Sequence, residues 1–311
     1  MYFLSGADAV SNGTRVDSAL RVISGYFMLV DNYIRYNRCP LCGASKIGKL
    51  GDIEYFQPLI FSSKEIFLKK TPELWKCGKC KSGFTQYAIP APEAARLYES
   101  GAGGERWISK PFEEEKPRQV IRVLEAIFTP DCRVLDVGCN TGELLDFARS
   151  RGSITSGVEY SAASREIVEA KGHGCFAAFD EVDGKYDVIT AFDLVEHLYD
   201  VSSFLSECRN KLNENGLLII LTGNFSCFSA RMTGPEWWYV RYPEHIVFPS
   251  KHYFHSLSQF AMVKWVNTYA ATKFLSSLRD KASSLVKGIQ RGNYMALPSL
   301  VPDHVLVVLK L

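Results

Sequence analysis

The stretch Arg133-Val-Leu-Asp-Val137, followed at once by Gly138-Cys-Asn-Thr-Gly142 and then Glu143-Leu-Leu145, constrains the fold more than any other part of the chain. A short apolar run ending in a glycine turn and reopening on apolar residues at helical spacing predicts a buried strand, a tight turn and a helix. The pattern recurs. Residues 154–159, 186–192 and 217–221 are further apolar strands, separated by helix-like segments over 161–171 and 200–212. Strand–helix alternation requires parallel pairing, because each crossover must return to the edge where the previous strand began, and it places helices on both faces. The expected class is therefore α/β and Rossmann-like. Ligands on such sheets sit at the carboxyl ends of the strands, where Gly138 and Gly142 fall.

The turn is not a dinucleotide fingerprint. That fingerprint needs Gly-x-Gly-x-x-Gly so that a pyrophosphate can rest on the helix N-terminus, whereas here the pattern is Asp136-x-Gly138-x-Asn140-x-Gly142. Asn140 tolerates positive φ better than most residues, which keeps the turn tight. Asp136 repels an anion at the strand end and welcomes a cation such as an amino group.

The run 134–142 resembles the first motif of class I S-adenosylmethionine-dependent methyltransferases. The likeness continues through Gly157-Val-Glu159-Tyr-Ser161, residues 186–192, Leu194-Val-Glu196-His197-Leu198 and residues 212–219. The resemblance implies a methyltransferase domain over 116–311 with a mostly parallel seven-stranded sheet. It further implies that Gly138 and Gly142, with Asp136 and Asn140, approach the methionyl part of the cofactor. Glu159 would bind both ribose hydroxyls, and Asp180 and Phe192 would lie beside the adenine. One carboxylate can accept two hydroxyl hydrogen bonds, which suits Glu159. Glu196-His197 recurs in the wider family and is expected only to begin a helix.

Cys39-Pro-Leu-Cys42 and Cys77-Gly-Lys-Cys80 form two Cys-x-x-Cys pairs separated by 34 residues. Two intervening residues let both thiolates face one ion, and four thiolates complete a closed tetrahedral zinc shell, structural rather than catalytic. A zinc-binding module is expected over 39–92, after an N-terminal extension of 1–38. A polar, Gly-rich passage, Ser100-Gly-Ala-Gly-Gly104, marks a linker over 93–115. Nine cysteines, an odd number, without a secretory leader point to a reducing cytoplasm. No run reaches the roughly 18 apolar residues of a membrane span.

Late in the chain, WWYVRYPEHIVF (237–248) crowds aromatic rings around Tyr242-Pro-Glu244-His245. With a zinc module ahead of a methyltransferase domain, this segment resembles the sugar C-methyltransferases that act on nucleotide-linked keto-deoxysugars. In them a Tyr-x-Glu-His motif supplies base and proton relay, roles that would fall to Tyr242, Glu244 and His245. Histidine fits because its pKa lies near working pH. The expected activity is methyl transfer to a small-molecule acceptor, a sugar or nucleotide-linked sugar, at carbon or oxygen. A second reading is an RNA methyltransferase that uses the zinc module to hold its substrate. Against it, the fourth strand ends in Ala191-Phe-Asp-Leu194 rather than the Asp/Asn-Pro-Pro-Tyr of base-amine methylases, and a net charge of +2 gives no reason to expect nucleic acid. The stretch 272–291 has helical apolar spacing and a basic face, which suits a docked helix.

Overall fold

The alternating runs build one seven-stranded sheet in the computed structural model, which describes residues 20–23, 27–54, 59–61, 64–94, 110–270 and 301–311. The stretch 272–291, the Gly-rich passage and most of the N-terminal extension lie outside the described residues. The front of the chain carries β1 (Leu20–Ile23), β2 (Phe27–Val30), β3 (Ile34–Arg35), β4 (Ile47–Asp52), β5 (Leu59–Phe61), β6 (Lys64–Leu68), β7 (Glu73–Cys77), β8 (Gly83–Thr85) and β9 (Tyr87–Ala88). Helices α1 (Phe112–Glu115) and α2 (Arg118–Glu125) lead into β10 (Arg133–Val137), α3 (Glu143–Ser150), β11 (Ile154–Val158), α4 (Ala162–Ala170), β12 (Gly174–Phe176) and β13 (Tyr186–Phe192). Then come α5 (Val201–Lys211), β14 (Leu212–Gly223), α6 (Phe228–Thr233), β15 (Val247–Phe248), α7 (Lys251–His255), β16 (Ala261–Thr268) and β17 (His304–Lys310).

The large sheet has the order β12-β11-β10-β13-β14-β17-β16. Pairs among the first five strands are parallel, and β17 runs antiparallel to both neighbours. This is the mostly parallel Rossmann-like sheet that the strand–helix alternation predicts. Val134 and Leu135 are completely buried because helices cover both faces, and each such side chain contributes about 1.5–3 kcal/mol by leaving water. The strand expected at 217–221 extends back to Leu212, which pairs with Tyr186; the polar residues 213–216 bulge out before Leu217 rejoins opposite Val188. Helix starts are set locally: Ser161 accepts from the Ser164 amide at α4 and Asp200 accepts from the Ser203 amide at α5.

The front module is not a bead on a string. Its sheet has the order β15-β8-β7-β4, so that a strand from beyond β14 completes it. Val247 pairs with Phe84 and Phe248 with Gly83. The segment that carries Glu244 and His245 is therefore gripped between the two halves of the molecule. Among the described residues, no helix is long and apolar enough to cross a membrane.

Candidate active site

The carboxyl edge of the large sheet gathers most of the residues singled out from the sequence. Gly138, Asn140 and Gly142 all have positive φ, at 77°, 49° and 86°. Glycine reaches these angles without strain, and Asn140 is the one position where a side chain bears them. The turn folds back onto β11, with the Gly138 and Cys139 amides both donating to the Val158 carbonyl. Gly138 stays exposed, open to a ligand.

Glu159 follows β11 and closes on that turn. Its Oε2 accepts from the Asn140 amide at 3.0 Å and its Oε1 from the Ser161 amide at 2.8 Å. Burial raises its pKa, while these two amides work the other way. Each oxygen retains a lone pair, so the carboxylate can still take two hydroxyls. Asp136, only 5% exposed, accepts from the Thr190 hydroxyl at 2.6 Å. Burial pushes its carboxyl up to about 7, with nearby Glu143 and Glu159 adding to the rise and the Thr190 hydrogen bond opposing it. A cationic ligand beside Asp136 would reverse that cost. Asp180 lies exposed on the turn after β12, and Phe192, at the end of β13, has its ring 6.0 Å from that of Phe112.

The aromatic segment arrives from the other side. His245 is 6% exposed, and its Nδ1 lies 2.7 Å from the Tyr239 carbonyl. A carbonyl only accepts, so Nδ1 carries the hydrogen and Nε2 of the neutral ring keeps its lone pair. Burial, aided by His197 close by, holds the imidazole well below the usual histidine range. His197 Nδ1 donates to the Glu244 carbonyl at 2.9 Å, and the Ile246 amide donates to the Glu196 carbonyl at 2.8 Å. The Glu196-His197 pair thus forms a short 3₁₀ turn that clamps residues 244–246.

Glu196 itself is fully buried and accepts from Thr222 Oγ1 at 2.8 Å and from the Tyr239 hydroxyl. Burial raises its pKa. The Tyr239 ring sits 4.5 Å from that of His245. That approach depends on Gly223, where a Cβ would lie 2.2 Å from the Tyr239 ring. From the sequence alone Glu196 is expected only to begin a helix and Tyr239 has no role, since one acid and one aromatic among several carry no signal of the partners they meet. Glu244 lies 3.5 Å from Arg241 in a partly exposed ion pair. Tyr242 is buried instead among Val30, Leu59, Ile66 and Ile89 of the front module.

The four module cysteines converge. Cys39 and Cys80 sulfurs are 3.6 Å apart, as are those of Cys42 and Cys77, and all four lie within 4.8 Å of one another. Metal–sulfur bonds of about 2.3 Å in a tetrahedron place the sulfurs about 3.8 Å apart, so the cluster has the dimensions of a zinc shell. The Lys79 and Cys80 amides point at Cys77 Sγ, at 3.3 and 3.4 Å, as a thiolate ligand requires.

Residues 110–261 match a family model described as a methyltransferase domain. Over 116 residues the chain is 31% identical to the ubiquinone biosynthesis O-methyltransferase of Bradyrhizobium sp. (strain ORS 278), covering 34% of this chain and 46% of that one. Over 122 residues it is 30% identical to the ubiquinone biosynthesis O-methyltransferase of Histophilus somni (strain 2336), covering 34% and 51%. The chain spans about half the length of the curated relatives it matches. Among solved structures, geranyl diphosphate C-methyltransferase from Streptomyces coelicolor A3(2) aligns with 18% identity and a TM-score of 0.47, covering 62% of this chain and 79% of that one. Residues 110–261, just under half of the chain, are thus similar to methyltransferase domains, and the glycine turn with the acid that closes on it lies inside the matched span.

Proposed function

We propose that the whole protein transfers a methyl group from S-adenosylmethionine to a small, sugar-like acceptor, with His245 Nε2 taking the acceptor's proton. The observation that carries this reading is the presence, toward one sheet edge, of a glycine turn open at Gly138 and backed by the buried Asp136 and the half-buried Glu159, together with an imidazole whose tautomer is fixed. Bound S-adenosylmethionine supplies an electrophilic methyl on a positively charged sulfur. Asp136 offsets positive charge at the methionyl end, and Glu159 takes the ribose hydroxyls. Asp180 and Phe192 flank the adenine. Trp237, Trp238 and Tyr239 exclude water, which strengthens each polar contact and favours direct displacement. The imidazole is neutral at working pH and so is ready to accept a proton. Glu244, beside His245 in the chain, completes the relay, with Tyr242 held in the apolar cluster of Val30, Leu59, Ile66 and Ile89.

The relatives named as O-methyltransferases favour oxygen over carbon as the methylated atom. The four thiols hold a structural zinc ion that closes the module of residues 39–92, joined through 93–115 to the catalytic domain of 116–311. Nine free cysteines fit a reducing compartment, the cytoplasm. Incubating the full chain with methyl-labelled S-adenosylmethionine and a panel of nucleotide sugars, then locating the label by mass spectrometry, tests the reading. Label on a sugar hydroxyl is expected. Label on transfer RNA and on no sugar would replace this reading with the nucleic-acid one.

A further inference from the structure

Asp303 and His304 stand at the start of β17, outside every motif used so far. Because β17 runs antiparallel to β14 and pairs His304 with Gly223, the two residues lie at the same sheet edge as Asp136 and Phe192. Both are buried, at 1% and 0% exposure. Asp303 Oδ1 lies 2.9 Å from His304 Nδ1, and its Oδ2 accepts from the Trp238 indole N–H. The carboxylate only accepts, so Nδ1 carries the hydrogen and Nε2 is the polar atom of the ring left for another partner. That Nε2 is buried and has no hydrogen-bond partner among the described residues. The ring is not free to seek one: it stacks on Trp238 with centroids 5.6 Å apart and meets the Tyr239 ring edge-on at 4.6 Å. Orphaned polar atoms this deep are few in folded proteins, and each calls for an occupant. Tyr239 touches His245 as well, so two imidazoles flank one phenol, each with Nδ1–H tied down and Nε2 open.

We propose that His304 Nε2 is a specificity contact that forms a hydrogen bond with a second hydroxyl of the methyl acceptor, distinct from the atom that receives the methyl, with Asp303 as its positioning residue. The proposal rests on the methyl-transfer reading with His245 as base. It narrows the acceptor to polyhydroxylated molecules whose hydroxyls reach both imidazoles beside Tyr239. A site built to bond a hydroxyl discriminates strongly against the analogue lacking it, because the protein group is then left unpaired.

The experiment uses the full chain, thymidine and uridine diphosphate hexoses as acceptors and, for each sugar methylated, its monodeoxy analogues. Wild-type protein should prefer the parent over one deoxy analogue by at least about tenfold in kcat/KM. H304F should lose that preference, chiefly through a raised KM for the parent, while H304Q, whose amide oxygen still accepts, should restore part of it. Affinity for S-adenosylmethionine should stay within about twofold in both variants, which a merely structural role would not allow. A second readout needs no turnover: with S-adenosylhomocysteine bound, the 15N resonance of His304 Nε2 in the wild-type protein should move on adding the parent sugar and stay still with that deoxy analogue. Equal discrimination by wild type and H304F, or an unmoved resonance, overturns the proposal and leaves a trapped water as the occupant. Absence of methyl transfer to any of these sugars by wild-type protein that binds the cofactor overturns the function reading itself, and the proposal falls with it.

Discussion

The backbone N–H of Thr85, in the cysteine-bearing front module, donates a 2.9 Å hydrogen bond to the carbonyl of Ile246, the residue after His245. Ser250, four positions further on, gives its hydroxyl hydrogen to the Cys80 carbonyl at 2.5 Å and donates its amide hydrogen to Ser82 Oγ at 3.1 Å. A cysteine of the four-thiol cluster and the proposed base are thus tied to one short strand pairing. The front module touches the site through its backbone hydrogen bonds.

Loss of the metal shell should therefore be felt at the site. Cys77→Ser removes one of four thiolates, and zinc content should fall from about one equivalent toward zero. Amide exchange at Thr85 should quicken by at least about tenfold as the β8–β15 pairing loosens. Metal analysis and hydrogen-exchange mass spectrometry on the same sample check both, and unchanged exchange after zinc loss would separate the module from the site.

Asp136 sets a pH dependence whose sign follows from its environment. Burial raises its folded-state pKa to about 7, against about 3.9 in an unfolded chain. Between those values the native state binds more protons than the unfolded one. Stability from this group is fully present below the unfolded pKa and is lost as pH rises through about 7, a swing of about 1–4 kcal/mol. The cofactor-free protein should melt at lower temperature at pH 8 than at pH 5, and Asp136→Asn should flatten that slope. Conversely, affinity for the cationic cofactor should rise with pH through the same window in the wild type alone, as calorimetry at pH 6 and 8 will read.

Glu159→Ala removes the acceptor for two backbone amides as well as the proposed ribose contact. Hydrogen bonds to a charged group are worth about 1.5–3 kcal/mol each, so affinity for S-adenosylmethionine should fall by about 10- to 1,000-fold. Isothermal titration calorimetry measures it directly, and an unchanged Kd would remove Glu159 from the cofactor site.

His245→Gln should lower kcat by about 10²- to 10⁴-fold with cofactor affinity nearly unchanged. Burial and His197 keep the wild-type imidazole neutral well below its usual range. A base needs its unprotonated form, so the wild-type rate should show no loss from this residue as pH falls from 8 to 6. A limb near 6.5 that vanishes in the variant would mean a solvated histidine instead.

Gly223→Ala drives a methyl group into the Tyr239 ring, 2.2 Å from its nearest atom. Overpacking of this kind costs about 1–3 kcal/mol, readable as a lower urea midpoint at unchanged slope. Because Tyr239 supplies the carbonyl that fixes the His245 tautomer, turnover should fall further than stability alone explains.

The fold was legible because its signal is local and repeated. Apolar residues at strand and helix periods over 133–223 leave few ways to bury themselves, and the left-handed turn at Gly138, Asn140 and Gly142 is written in residue types that tolerate it. Cysteine spacing marked the four thiols that cluster in the fold, since both members of each pair lie within one turn of chain. Glu159, one residue past β11, was singled out through the family resemblance.

What no stretch of sequence announced is the company that His245 keeps. The Tyr239 ring reaches it only because Gly223, sixteen positions earlier, lacks a side chain. Glu196 and His304, 49 residues before it and 59 after it, arrive through pairings made by separate strands. Local periodicity determined the strands and helices and the left-handed turn, because each needs only neighbours along the chain, whereas the two cysteine pairs, separated by 34 residues, meet only in the folded module. The buried network of Glu196, Tyr239, His245 and His304 was decided by tertiary structure, since hydrogen-bond geometry and desolvation depend on which distant groups packing brings within 3 Å of one another.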